Sequence, residues 1–310
     1  MMMAMMKPMN DFVMGAQSDV KLHKNSKPMN HEKNLRPLVI FIILSLLFAM
    51  LIALPAVLEN YGLIDVDIPL IPLLLVGSWT PNIAAFIVIL YVLKRRGGVK
   101  KLFLRWTMWR ESFWWYLAAV SPLVLCAIAV LLYRGLDAGA TAGVEPPDIQ
   151  YLLIFLVLAL ISGAMGEELG WRGFALPWLQ TRVGALTASL VVGVVWGLWH
   201  LPLWFAGMGW ETMSFGVFTW NCIAMSVILT WICNNTRGNM VLVTLFHMFY
   251  NFGFGLMNDV MNVPPEKGII YLAGVLTVYV AVVLLIFGPG KLSGKDTIPV
   301  DQKLKSWVEV

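Results

Sequence analysis

Charge is what this chain has least of. Only 13% of its 310 residues are Asp, Glu, Lys or Arg, against 59% hydrophobic, and the mean hydropathy is +0.76. That balance excludes an ordinary soluble domain and points to an integral membrane protein. The formal net charge of +4 is small and sits in loops, so it speaks to topology and gives no reason to expect a nucleic-acid partner. Cysteine is equally scarce: Cys126, Cys222 and Cys233 stand in apolar stretches without a Cys-x-x-Cys pair. Neither a disulfide framework nor a cysteine metal site follows, and the three read as small buried hydrophobes. There is no His-Glu-x-x-His helix, no repeat of solenoid type, and no apolar region early enough for a cleavable signal peptide.

What is abundant is the long apolar run. Stretches of about 20 residues, enough to cross a bilayer, fall near 37–58, 68–93, 113–133, 151–170, 186–206, 217–233, 239–257 and 269–288. The expected fold is therefore an all-α bundle of about eight transmembrane helices. Basic residues crowd the connection from Lys94 to Arg110 and recur as Arg182, Arg237, Lys291 and Lys295. Glu59, Asp65, Asp67, Asp137, Glu145, Asp148, Glu211 and Asp259 fall in the alternate connections. By the positive-inside rule this segregation puts both termini in the cytoplasm, most simply at the plasma membrane. Residues 1–36, polar and methionine-rich, read as a disordered cytoplasmic tail whose several methionines leave the start codon open. Residues 37–290 form the membrane domain, and 291–310 a second cytoplasmic tail. Leu102, Trp106, Trp109 and Phe113 recur at helical spacing among basic residues, as in an amphipathic helix lying on the cytoplasmic leaflet. Pro146-Pro147 and Pro264-Pro265 punctuate the external loops.

Against this background three polar patterns stand out: Glu167-Glu168-x-x-x-Arg172, Trp196-x-x-x-His200 and His247-x-x-x-Asn251. Ionisable groups near the bilayer centre cost roughly 2.5–3.5 kcal/mol each on insertion scales, so a chain that keeps them there has a use for them. Arg172 follows Glu168 by four residues, on the same helical face, and suits it as an ion-pair partner. Glu167 is turned by about 100° and needs another partner; a carboxylate so placed suits a general base. His200 and His247 are the obvious partners. Gly163, Gly166 and Gly170 on one helix, with Gly193 and Gly197 on the other, form small-residue stripes. Such stripes let membrane helices approach closely, which would bring Glu167 to His200, or simply pack helices with no catalytic meaning. His247 and Asn251 share a face; they suit either oxyanion stabilisation or plain interhelical hydrogen bonding.

In this order, on separate apolar helices, the three motifs resemble the CPBP family. It comprises the type II CAAX prenyl endopeptidases and the bacteriocin-processing or self-immunity (Abi) proteins. The resemblance covers residues 150–255. It implies an intramembrane endopeptidase acting on a peptide or protein at the bilayer. Glu167 and His200 would activate water, and His247 and Asn251 would stabilise the oxyanion. Glu168 and Arg172 would support the geometry. A CAAX-type site does not by itself make the substrate prenylated. Metal is a fork: Glu167, His200 and His247 are the three candidate ligands for Zn²⁺, while a metal-free glutamate mechanism accounts for the same roles and is the expectation. Other classes are a transporter with a buried proton or ion path, which predicts duplicated halves, and a non-catalytic immunity protein that sequesters a peptide.

One geometric tension arises. Counted from Tyr151 and Gly184, Glu167 and His200 fall near opposite membrane faces. They meet only if the fourth helix runs on to about Leu179.

Overall fold

The computed structural model describes residues 35–66, 68–137, 144 and 147–295, all within the unit Glu32–Val310. The expected N-terminal tail up to residue 34, the C-terminal tail from 296, and Asp67, Glu145 and Pro146 lie outside the described residues. Among the described residues there is no strand, and eight helices are long and apolar enough to span a membrane. They are α1 (Arg36–Asn60), α2 (Leu70–Val92), α4 (Phe113–Leu136), α5 (Ile149–Gln180), α6 (Ala185–Trp199, prolonged by a 3₁₀ turn Leu201–Phe205), α7 (Phe215–Asn235), α8 (Met240–Asp259) and α9 (Pro265–Phe287). A short α3 (Gly98–Phe103) precedes α4. An all-helical membrane protein is thus what the apolar runs build, because only helices and closed barrels satisfy every backbone group in lipid.

Local chemistry sets the ends. Pro37 and Pro265 open α1 and α9, where a missing N–H costs nothing. Asp148 caps α5 through the Gln150 amide at 2.9 Å, and Asn239 caps α8 through Val241 at 2.9 Å. α9 stops at Gly288, in the left-handed region at φ 69°.

Two elements depart from the hydropathy reading. α5 is 32 residues long, and its turns at Ala159–Ala164 and Leu169–Ala175 are π-helical, flanking an α-helical turn Met165–Glu168. The extension removes the depth problem. Glu167 lies thirteen residues before Gln180 and His200 fifteen after Ala185, roughly 20 and 22 Å from the same membrane face at 1.5 Å per residue. The second departure is the connection after α2. Leu102 is not on the leaflet surface but in the core, at 0% exposure, and the helix ends by Thr107. Phe113, expected on the same face, instead opens α4. Arg105 is the cause: it donates from Nε to Gly238 O (2.8 Å) and from Nη1 to Gly173 O (3.1 Å), drawing the segment into the bundle. Trp106 Nε1 adds a bond to Thr244 Oγ1 at 2.9 Å. Burial holds the Arg105 guanidinium below its usual range, without neutralising it near pH 7.

The first residues of the expected C-terminal tail are likewise packed. Ala185 and Leu186 donate their free helix-start amides to Gly290 O (2.7 Å) and Pro289 O (3.0 Å), while Asn234 and Asn235 donate to Lys291 O and Leu292 O. Lys295 Nζ donates to the Asn235 carbonyl at 2.5 Å, so segment 288–295 caps the start of α6 and the end of α7.

Candidate active site

Every polar group singled out in the sequence except His200 and Asn251 is buried, and those two are partly so. The α-helical turn Met165–Glu168 carries the glutamate pair, and three neighbours hold it. The bare faces of Gly166 and Gly170 lie against the backbone of Ser78 and Pro81, where a Cβ would clash. From that point of α2, Asn82, with 0% exposure, donates Nδ2 to Met165 O (2.7 Å) and accepts from the Gly170 amide through Oδ1 (2.8 Å). One side chain thus clamps the helix on both sides of Glu167 and Glu168, where the π-turn has shifted the backbone register.

The glycine stripes do not meet each other. Gly193 packs on the Ile223 backbone and Gly197 on Thr219, both in α7, while Gly163 faces Asn251 and His247 in α8. The expectation that the stripes join α5 to α6 is corrected: each is matched to a different neighbour. What links Glu167 to the His200 helix is Trp196, whose Nε1 donates to Glu167 Oε2 at 2.5 Å. Neither histidine is the hydrogen-bond partner of Glu167. His200, one turn on, donates from Nδ1 to the Trp196 carbonyl at 2.8 Å, because a carbonyl only accepts. Its Nε2 is then the bare nitrogen of the neutral ring. Trp199, Phe218 and Trp210 enclose the imidazole at centroid distances of 4.6, 4.9 and 5.9 Å, and Trp199 Nε1 is anchored on Thr80 Oγ1 at 3.0 Å.

Glu168 forms the ion pair expected with Arg172, Oε1 to Nη1 at 3.0 Å, and a second contact the spacing did not disclose: His247 Nδ1 at 2.7 Å. Arg172 also lies over the Trp196 ring, 4.4 Å from its centroid, a cation–π contact. Trp196 therefore touches Glu167 at its edge, Arg172 on its face and His247 in a T-shaped contact at 5.2 Å. With Nδ1 committed to Glu168, His247 directs Nε2 toward the Gly163 face, where the Asn251 amide also lies; a side chain on Gly163 would collide with that amide.

Glu167, His200, His247 and Asn251 all line one cavity of about 480 Å³, whose walls are otherwise chiefly apolar and aromatic, including Phe155, Trp199, Trp210 and Phe218. A carboxylate, a bare imidazole nitrogen, an amide and a second imidazole on one cavity can together handle a proton and stabilise an anion. Among the described residues no group of three or more His, Cys, Asp or Glu side chains is arranged to hold a metal ion.

Sequence reasoning missed Asn82 and the structural use of Trp196. Asn82 was visible as the one amide inside the apolar run 68–93, and Trp196 as the aromatic of its motif; neither pattern names a contact.

The comparisons with known proteins bear on this same segment. Residues 149–253 match the family model described as Type II CAAX prenyl endopeptidase Rce1-like. A curated relative, the CAAX prenyl protease 2 of Methanococcus maripaludis, is 32% identical over 145 residues, 44% of this chain and 50% of that protein. The chain thus spans about half the length of that relative. The segment that carries Glu167, Glu168, Arg172, Trp196, His200, His247 and Asn251 is thus similar in sequence to the Rce1-like type II CAAX prenyl endopeptidases.

Proposed function

We propose that the protein is an intramembrane endopeptidase, hydrolysing a peptide bond in a membrane-associated peptide or protein. The observation that carries this reading is the shared cavity: a carboxylate held by an indole and a bare imidazole nitrogen face it together with an amide donor and a second imidazole. In the proposed reaction, Glu167 takes a proton from a water lying between it and His200 Nε2. The water oxygen attacks the scissile carbonyl carbon, and the carbonyl oxygen becomes negative. Asn251 Nδ2 donates to that oxygen. His247 donates to it only as the imidazolium, because its other nitrogen is engaged with Glu168; Glu168 is the counter-ion of that cation. The proton on Glu167 then passes to the departing amine nitrogen as the C–N bond breaks. The two histidines thus act in different protonation states, neutral for His200 and cationic for His247, matched to their different Nδ1 partners.

The mechanism proposed is metal-free, in keeping with the arrangement of the donor set. We take the membrane protease domain to be 37–290, with basic connections and both termini cytoplasmic. A prenylated C-terminal motif is one substrate class, suggested by the relative's name and by the apolar cavity. The test is cleavage of peptide libraries, with and without a prenyl group, by the purified full chain. Wild type is expected to cleave and Glu167→Gln, which keeps the shape, to lose roughly 10²–10⁴ in turnover while still folding. Near-wild-type turnover in Glu167→Gln would remove Glu167 as the base.

A further inference from the structure

The candidate catalytic residues leave one end of the bundle unused. The connections 94–112, 181–184, 236–239 and 288–295 lie there, and none of their residues lines the cavity. This face is closed by its own bonds: Arg105 ties the connection after α2 to Gly173 and Gly238, and Trp106 ties it to Thr244. Leu102 packs beneath, its Cδ2 3.0 Å from where a Cβ on Gly173 would stand. Residues 94–112 are thus held as a fixed platform.

What the platform turns outward is of two kinds. Residues 94–110 carry seven lysines and arginines. Arg105 faces inward, while Lys94, Arg96, Lys100, Lys101 and Arg110 are exposed. Among the described residues of the four connections the only acid is Glu111, and Arg237 engages it at 2.8 Å. No carboxylate among the described residues pairs with the five exposed cations. Among them stand Phe103, Leu104 and Trp109, followed by Phe113 and Trp114 in the first turn of α4, and all five are exposed.

Immersed in water, this surface would leave its rings wet; immersed in hydrocarbon, it would strand its charges. Both are satisfied at the boundary of a bilayer. There indole rings take the headgroup level, and lysine and arginine stems reach along apolar surface to the phosphates. Topology asks only for cations in a short loop. It does not ask that the loop be folded, bonded to two other elements and interleaved with exposed aromatics.

We infer that residues 94–114 form a binding surface for anionic phospholipids. Lys94, Arg96, Lys100, Lys101 and Arg110 meet the headgroup phosphates, and Trp109, Phe113 and Trp114 meet the glycerol and upper acyl region. The surface is separate from the cavity and does not depend on the peptidase reading above.

The test reconstitutes the purified full chain in nanodiscs of phosphatidylcholine mixed with phosphatidylglycerol. The protein is then moved into neutral detergent, and the lipids it retains are counted by native mass spectrometry. Wild type is expected to keep phosphatidylglycerol at least about fivefold above its share of the bilayer. Combining Lys94→Gln, Arg96→Gln, Lys100→Gln, Lys101→Gln and Arg110→Gln should bring retention down to the bulk ratio, with unchanged circular dichroism. Lys267→Gln, at the opposite end of the bundle, should retain the lipid as wild type does. A wild type without enrichment overturns the inference, as does enrichment kept by the five-site variant or lost equally in Lys267→Gln. If the five-site variant does not fold, Lys100→Gln with Lys101→Gln carries the test, and about half of the enrichment should go. Soluble glycerol phosphate offers the phosphate without the chains and should not displace the lipid. Displacement by it, or by an acidic peptide, would assign the surface to a soluble anion and overturn the lipid assignment.

Discussion

At the scale of single residues, the site is organised by which nitrogen each histidine has left. His200 spends Nδ1 on a backbone carbonyl, a neutral acceptor, and His247 spends it on a carboxylate. The first arrangement suits a neutral ring that accepts a hydrogen bond through Nε2; the second suits a ring that carries charge beside a counter-ion. Glu168 was legible in the sequence as the partner of Arg172, at four-residue spacing, but its bond to His247 joins positions 79 apart and had no local signature. Glu168→Gln is therefore expected to do more than weaken an ion pair. It leaves Arg172 buried without its anion, typically costing about 3–5 kcal/mol, and removes the counter-ion of His247. Asn251→Ala takes away an oxyanion donor, worth about 10²–10³ in turnover, and should lower kcat with little change in KM. Chelation should leave the wild-type rate intact under the same assay. An enzyme that dies on extensive chelation and returns with stoichiometric Zn²⁺ would reassign His247 as a ligand, and Glu167 and His200 with it.

At the scale of elements, hydropathy located all eight spans, because lipid imposes one requirement on each of them. It could not locate the end of α5. The run 171–179 is apolar but broken by Arg172 and Pro177, and the π-turns that carry the helix through are visible only in backbone geometry. The glycines were legible as close-approach positions but not as to what approaches, since a missing side chain has no partner written into it. Asn82 illustrates the same limit from the other side. Its two bonds fix the turn that presents Glu167 and Glu168, across a gap of more than eighty residues. Asn82→Ala strands a buried carbonyl and a buried amide, costing about 1–3 kcal/mol for each group left unmade. Turnover per folded molecule should fall as well, because the glutamates lose their fixed register. Asn82→Asp, which keeps the acceptor for Gly170 but not the donor for Met165, should fall between. Thermal unfolding and active-enzyme titration in the same detergent separate the two effects. A lower Tm with unaltered kcat in Asn82→Ala would make the clamp structural only.

At the scale of the whole molecule, the bundle divides into a packed basic half and a cavity half, with the glutamate turn at their boundary. The division has a physical cause. Basic residues in the connections pull the closed face together through bonds to backbone carbonyls, as Arg105 does with Gly173 and Gly238. In the other half no acidic residue of the connections lines the cavity, whose walls are largely aromatic, and small residues of α1 and α2 such as Ala49, Ala53 and Gly77 line it as well. Stability and catalysis should then respond to different mutations. Arg105→Ala removes charge-assisted bonds worth about 1.5–3 kcal/mol each, strands two carbonyls and should lower Tm by several degrees. It should leave kcat per folded molecule nearly unchanged, because Arg105 touches none of Glu167, His200, His247 or Asn251. Asn251→Ala should do the opposite, lowering kcat at almost constant Tm. The double variant should show both losses, additive in free energy, because the two sites share no contact partner. Strong coupling between them, with the double variant far from the sum in either quantity, would mean that the closed face participates in shaping the site and does not merely support it.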